Sequence, residues 1–369
     1  MEEKEFYRQL IHRYVTGEAT EEELEAFFHL TGSGEIDGVL QVYMEHEAAL
    51  MAAEETAVTA KVRRLWPRIA AAASILLILS AGGYFWLSKT HDSPFTAHND
   101  IAPGHDQATL TLADGKKIVL TKGLNGKLAQ QGNMVVRADA GKGITYTASD
   151  QVDHTLTTVS YNTLTTKRGE ASPYPLVLPD GSKVWLNAAS SVTFPTAFAG
   201  KTREVTVTGE AYFEVLHNAR QPFSVKAGRQ LIEDIGTAFD VNAYADEPAG
   251  KTTLVEGSVR VNGQAVLRPG EQSLVSGGAV SVRAVDVRDV VAWRNGGFRF
   301  TDEQLGGILR QAARWYDVEV VYADEGLKAK KFGAIATRFG KVSQLLHALE
   351  VTGEVRFKVE GRKITVLSK

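Results

Sequence analysis

The chain has 369 residues, 44 acidic and 41 basic side chains, a net charge of −3 and no cysteine. The absent thiols exclude a disulfide framework, thiolate metal sites, a cysteine nucleophile and a lipid-bearing cysteine, and the length points to several domains. The near balance of charge is an average: residues 1–60 carry 14 acidic against three basic side chains, the other 309 carry 30 against 38.

The acidic head, residues 1–60, repels nucleic-acid backbones, so no direct nucleic-acid partner is expected. It suits a basic protein instead. Phe6, Leu10, Ile11 and Tyr14 fall on one face at helical spacing, and Gly17 ends that helix. Thr20 with Glu23 forms a capping box, and Leu24, Phe27 and Phe28 make a second apolar stripe. Val39, Leu40, Tyr43 and Met44 make a third, and Ala48–Ala60 is helix-prone. A small all-α head is therefore expected. Each stripe residue is by default internal packing, but a piece this short is marginal alone and can use its aromatic stripes as anchors for a partner.

Residues 61–68 form a basic segment. Ile69–Leu87 then runs for 19 residues without a charge, an amide or a proline, close to what a helix needs to cross a bilayer. A single transmembrane helix is expected at 69–87, and a buried core helix is the weaker alternative because no polar stripe shows. Lys61, Arg63, Arg64 and Arg68 crowd one flank, whereas Lys89 and Asp92 follow the other. By the positive-inside rule the N-terminus is expected in the cytoplasm and the C-terminal region in the periplasm, a single pass in the inner membrane, with membrane lipid as a partner. Residues 88–107 read as a linker. His91, His98 and His105 recur at sevens, but a linker holds no fixed geometry, and no metal site is expected.

From 108 to 290 the pattern is strand and turn. Leu110–Leu120 and Leu176–Leu186 each place Asp-Gly between alternating apolar runs, a hairpin signal. Strands follow at Glu204–Thr208, Ala211–Leu216, Phe223–Lys226, Phe239–Tyr244, Thr252–Val255, Ser258–Val261 and Ala265–Leu267, punctuated by Gly209, Gly228, Gly236, Gly257 and Gly263. This predicts a mainly-β domain, either a sandwich or a solenoid-like stack of hairpins. In residues 298–369 the period changes. Phe298–Phe300 is a strand, and Thr301 with Gln304 caps a helix carrying Leu305, Ile308, Leu309, Ala312 and Trp315. Val318–Tyr322 and Phe332–Ala336 are strands, Leu345, Leu346 and Leu349 mark a second helix, and Val355–Val359 with Ile364–Leu367 form a hairpin. The expected fold class is thus multidomain: all-α head, transmembrane helix, mainly-β region and C-terminal α+β domain.

Enzyme signatures are missing: there is no Gly-x-Ser-x-Gly, no His-Glu-x-x-His and no phosphate-cradling glycine loop. Glu210, Glu214 and Glu256 read as surface carboxylates, His217 as a lone histidine at a strand end, and Asn295-Gly296-Gly297 as a hinge. No enzyme and no cofactor are expected.

The segments Leu176–Ser190, Phe194-Pro195, Arg203–Val215, Pro222–Val225, Gly236–Tyr244, Leu254–Val259 and Leu267–Gln272, in this order, resemble the FecR family of membrane-spanning anti-sigma factors. Residues 298–367 resemble the small C-terminal domain of such proteins, related to the short N-terminal domain of secretins and of signalling TonB-dependent receptors. The resemblance implies that the head sequesters an extracytoplasmic-function sigma factor, with Phe6, Leu10, Tyr14, Leu24, Phe27 and Phe28 as candidate contacts. It implies a periplasmic partner, the signalling domain of a TonB-dependent outer-membrane receptor, and release of the head by envelope and intramembrane proteases. Some relatives cleave themselves between a glycine and a threonine, which makes Gly236 and Thr237 the candidate self-cleavage pair. A membrane-anchored β-rich protein binding an envelope polysaccharide is the runner-up, and an envelope hydrolase a weaker third.

Overall fold

Apolar residues at every second position become strand pairing over most of residues 105–284. The structure, a computed structural model, describes residues 100–131, 134–139, 143–148, 159–234 and 236–369, together with Phe6, Tyr7, Gln9 and Arg13. Two units divide the chain, Met1–Lys89 and Thr90–Lys369. In the first, the four described residues are helical, with the Phe6 and Tyr7 rings 6.0 Å apart.

In the second unit the strands run β1 (His105–Thr111), β2 (Lys117–Thr121), β3 (Gly126–Gln131), β4 (Met134–Asp139), β5 (Gly143–Ala148), β6 (Tyr161–Thr166), β7 (Glu170–Ala171), β8 (Leu176–Val177), β9 (Lys183–Leu186) and β10 (Ser190–Pro195). They continue as β11 (Arg203–Glu214), β12 (Phe223–Ala227), β13 (Gln230–Asp234), β14 (Ala238–Ala243), β15 (Gly250–Glu256), β16 (Val259–Val261), β17 (Ala265–Leu267), β18 (Glu271–Ser276) and β19 (Ala279–Ala284). Helix α1 (Val287–Val291) leads to β20 (Gly297–Gln304), α2 (Leu305–Tyr316), β21 (Glu319–Tyr322), β22 (Lys331–Thr337), α3 (Val342–Glu350), β23 (Val355–Glu360) and β24 (Lys363–Ser368).

Two layers result. One follows the order β2-β1-β6-β10-β11-β12-β13-β16-β17, the other β3-β4-β5-β8-β9-β11-β14-β15-β18-β19. Strand β11 belongs to both. Its first half pairs with β10 and β12, its second with β9 and β14. The crossing point is Gly209, whose φ of +77° suits a residue without Cβ; a methyl there would come within 2.7 Å of the Ala189 carbonyl oxygen. Val205, Val207, Ala211 and Phe213 all point into the core between the layers. There the Phe213 and Phe239 rings stack at 5.2 Å, and each such ring contributes about 1.5–3 kcal/mol through burial.

The C-terminal domain has its own core, built on Phe298, Leu305, Ile308, Leu309, Trp315, Tyr316, Leu345, Leu346 and Phe357. Strands β20 and β22 pair antiparallel, while β21 and β23 flank β24. Asp317 adopts a left-handed conformation that ends α2.

The expected fold class needs correction. The described structure is predominantly strand, with α1, α2 and α3 as its α-helices beyond the N-terminal fragment. No described helix is long and apolar enough to cross a membrane. The physical reason is plain in α2, the longest of the three: it has 12 residues and carries Arg310 and Arg314, where a span needs about 20 apolar ones. The all-α head is likewise not seen as such; most of 1–60, the basic segment 61–68, the span at 69–87 and linker residues 88–99 lie outside the described residues. A second correction concerns the start of α2. Thr301 and Gln304 do not form a cap, because pairing of Glu303 with Phe332 and Gln304 with Lys331 keeps them extended, and Gln304 makes no side-chain capping bond.

Candidate functional site

The outer face of the second layer carries polar side chains at alternate positions of neighbouring strands. Glu210 and Tyr212 on β11 lie opposite Asn242 and Asp240 on β14. Trp185 on β9 lies opposite Tyr212, and Asn187 follows that strand with its N–H on the Glu210 carbonyl at 3.0 Å. In a lone sandwich such a face would be wet. Here the turn after α1 and the C-terminal domain cover it: Asn187, Glu210, Asp240 and Asn242 are all under a tenth exposed.

Cations and indoles come down from the other side. Arg338 donates from Nη2 to Asn187 Oδ1 at 2.9 Å and from Nη1 to the Trp293 carbonyl at 2.9 Å, and its guanidinium lies 3.9 Å from the Trp315 ring centroid. Arg314 stacks 3.7 Å over Tyr244 and donates to Asp246 and Glu247, each at 2.7 Å. Arg310 adds a 2.7 Å bond to Glu247. Trp293 Nε1 donates to Asp240 Oδ1 at 3.1 Å. Arg294 pairs with Glu214 at 2.7 Å and lies 4.2 Å and 4.4 Å over the rings of Trp185 and Tyr212. Arg168, from the loop after β6, reaches the end of α2: Nε pairs with Asp317 at 3.0 Å and Nη2 donates to the Ala313 and Val318 carbonyls at 2.7 Å each. The joint between the two domains is therefore mostly charge-assisted and aromatic rather than aliphatic.

Burial sets the electrostatics. It raises the Glu210 carboxyl, and amide bonds from Asn187 and Asn242, then Arg314 and Lys251, pull it partly back. Asp240 is pushed well above its ordinary range by burial and then by the Glu210 charge, against the Trp293 indole bond and the Lys251 charge. Burial lowers Arg338 to about 10. Glu247 is also raised by burial, but hydrogen bonds from Arg310 and Arg314 outweigh this and hold it low. Both deep carboxylates are shut beneath a domain, with amides and an indole on their oxygens. That arrangement suits holding two bodies together.

The sequence-named residues fall elsewhere. Gly236 has φ +101°, and Thr237, buried, leads into β14 with its carbonyl accepting the Val215 N–H at 2.9 Å. A Cβ on Gly236 would come within 2.8 Å of His217 Nδ1, and one on Gly257 within 3.2 Å of Thr237 Cα. This peptide lies at the strand ends next to the joint, since Glu214, the partner of Arg294, pairs with Ala238. Phe6 is helical and half exposed in the other unit. Leu10, Tyr14, Leu24, Phe27, Phe28, Lys61, Arg63, Arg64 and Arg68 lie outside the described residues. Glu210, read from sequence as a surface carboxylate, is buried. The signal for it was the aromatic content of the same face, Trp185, Tyr212 and Tyr244, which a water-facing strand surface rarely needs.

Known proteins agree with this two-part architecture. The FecR protein family matches residues 162–260, and the family described as FecR, C-terminal, matches residues 297–366. Two crystal structures of a candidate anti-sigma factor from Parabacteroides distasonis ATCC 8503 are similar. One is 25% identical and covers 56% of this chain and 99% of its own; the other is 26% identical and covers 57% and 99%; the TM-score is 0.52 for both. No curated protein matches the chain. The chain thus carries a FecR domain and a FecR C-terminal domain in series, packed through one charged joint.

Proposed function

We propose that this chain is an anti-sigma factor whose head sequesters an extracytoplasmic-function sigma factor and whose folded region receives the releasing signal from a TonB-dependent receptor. The observation that carries the reading is the FecR domain followed by the FecR C-terminal domain, shared in fold with a candidate anti-sigma factor. The acid excess of residues 1–60 supports the choice of a basic protein as the head's partner. In this reading the head works in the cytoplasm, residues 100–369 work in the periplasm, and proteases release the head. The test is co-purification. Full-length chain should retain a sigma factor, and the double change Phe27→Asp with Phe28→Asp should lose it; retention by the double variant overturns the assignment of those contacts.

We also propose self-cleavage at Gly236–Thr237, as the family resemblance implies. The Thr237 hydroxyl attacks the Gly236 carbonyl carbon, the C–N bond breaks as an ester forms, and water hydrolyses the ester to a Gly236 carboxylate and a free Thr237 amine. The close packing of His217 beside Gly236 and of Gly257 beside Thr237, with no room for a Cβ on either glycine, supports a threonine hydroxyl and peptide held in a fixed position. Intact mass of the purified chain tests it: two fragments are expected, and a single one from Thr237→Val. A wild-type chain that stays whole overturns it.

A further inference from the structure

Helix α3 has no cap of its own. Its N-cap residue, Lys341, makes no side-chain hydrogen bond. The first two N–H groups of the first turn are met by residues more than 200 positions earlier. Ser343 N–H donates to Asp100 Oδ1 at 3.2 Å and Ser343 Oγ donates to Asp100 Oδ2 at 2.6 Å. Val342 N–H donates to the Ile101 carbonyl at 3.0 Å. A carboxylate at this end of a helix gains from both the hydrogen bonds and the helix dipole.

The next residues are held as well. Ile101 is buried in the core of the C-terminal domain, not that of the sandwich. Gly104 threads between the two domains: a Cβ there would come within 2.7 Å of both the Gly169 and Trp315 carbonyl oxygens. His105 then bonds the Gly169 carbonyl at 2.9 Å and enters β1.

We propose that residues 100–104 form a strap by which the C-terminal domain grips the chain at its entry to the folded region. The strap is closed when α3 is seated and opens when a partner displaces α3. Everything N-terminal to Asp100 joins the folded region through this segment, so a binding event on residues 297–366 is felt first at residue 100. Closure buries Ile101 and engages the backbone of residues 100–104, shielding this stretch from proteases; opening exposes it. This regulation rests on the reading that the C-terminal domain receives the signal, but the closed strap can be tested without any receptor.

The experiment is hydrogen–deuterium exchange on full-length protein, with thermolysin cleavage at the Asp100–Ile101 bond as a second readout. Asp100→Ala should speed exchange at Val342 and Ser343 by about tenfold, the loss of one helix cap. It should also speed thermolysin cleavage before Ile101. Asp100→Asn, which still caps, should restore most of the protection, and Ile101→Asp, read by exchange alone because it removes the thermolysin site, should open the strap fully. Amides of β12, remote from the strap, should stay protected in every variant and so report that the sandwich is folded. Unchanged exchange at Val342 and Ser343 in Asp100→Ala or Ile101→Asp, or equal thermolysin cleavage before Ile101 in wild type and Asp100→Ala, overturns the strap. Failure of a receptor signalling domain to bind the wild-type chain would instead overturn the receptor reading and leave the strap standing.

Discussion

Arg338 and Asn187 are 151 residues apart in the chain and 2.9 Å apart in space, and both are buried. Arg338 hangs from the end of β22 in the C-terminal domain. Asn187 belongs to the sandwich, where its amide also donates to Glu210. One chain of hydrogen bonds thus runs from the C-terminal domain, through Asn187, to Glu210 and on to Asn242. The β domain and C-terminal domain are tied by side chains that neither could bury alone.

Replacing Arg338 with Met keeps much of its length over Trp315 but removes the bonds to Asn187 and to the Trp293 carbonyl. A hydrogen bond to a charged group is worth about 1.5–3 kcal/mol, and a buried acceptor left unmet adds to the loss. Arg338→Met should therefore lower stability by about 3 kcal/mol. Urea unfolding followed by tryptophan fluorescence measures it, and the transition should split as the C-terminal domain unfolds ahead of the sandwich.

Asp240 and Glu210 make stability depend on pH. Glu210 accepts from two amides and faces Arg314 and Lys251, so it is the member that keeps its charge; Asp240, with one indole donor and the Glu210 charge beside it, holds the proton. The folded value of Asp240 lies above the unfolded one, so the folded chain binds more protons in the interval between them. The contribution is fully present below the unfolded pKa, near 4, and is lost as pH rises through the raised folded value. Asp240→Asn should flatten this fall while leaving the Trp293 bond an acceptor. Unfolding free energies at about pH 5 and about pH 8 decide it: a slope unchanged by the substitution assigns the dependence elsewhere.

Local features of the sandwich were legible where chemistry was local. Asp114-Gly115 and Asp180-Gly181 close turns with positive φ at each glycine, and the runs beside them pair, Thr111 with Lys117 and Val177 with Lys183. Leu305, Ile308, Leu309, Ala312 and Trp315 all lie on the buried side of α2. What was hidden depends on distant chain. The alternation of Glu210 and Tyr212 with Ala211 and Phe213 is that of any half-wet strand, and only the turn at Trp293-Arg294 and the domain after it make the first pair dry. Asp100 and Ile101 sit in a stretch with no periodicity, so their grip on α3 had no local mark. Nor did any pattern tell that β11 would pair parallel with β12 and then cross between layers at Gly209.

Arg168 offers a test of the second tie between the domains. Its guanidinium meets two carbonyls at the end of α2 and the Asp317 carboxylate at once, a geometry that a planar fork satisfies and an ammonium does not. The side chain is part exposed, so solvent screening limits its worth to about 1 kcal/mol. Arg168→Lys and Arg168→Ala should therefore lower the melting temperature by similar, small amounts. A lysine variant indistinguishable from wild type would mean that charge alone, not the fork, does the holding.

At Gly209 a single methyl group is expected to have a large backbone effect. Its φ of +77° is costly for any residue with a Cβ, and that Cβ would meet the Ser190 side chain and lie 2.7 Å from the Ala189 carbonyl oxygen. Neither neighbour can retreat easily. Ser190 Oγ accepts the Glu210 N–H at 2.8 Å, and Ser190 itself is buried beside Tyr244. Strain of about 1–3 kcal/mol from φ alone, with the clash added, should make Gly209→Ala strongly destabilising. Because Glu210 follows directly, the damage should spread into the joint: circular dichroism should show retained strand content at low temperature, a melting point lowered by several degrees, and faster amide exchange in both β11 and the turn at Trp293. An alanine variant that melts with wild type would show that β11 crosses between the layers without needing a glycine at the bend.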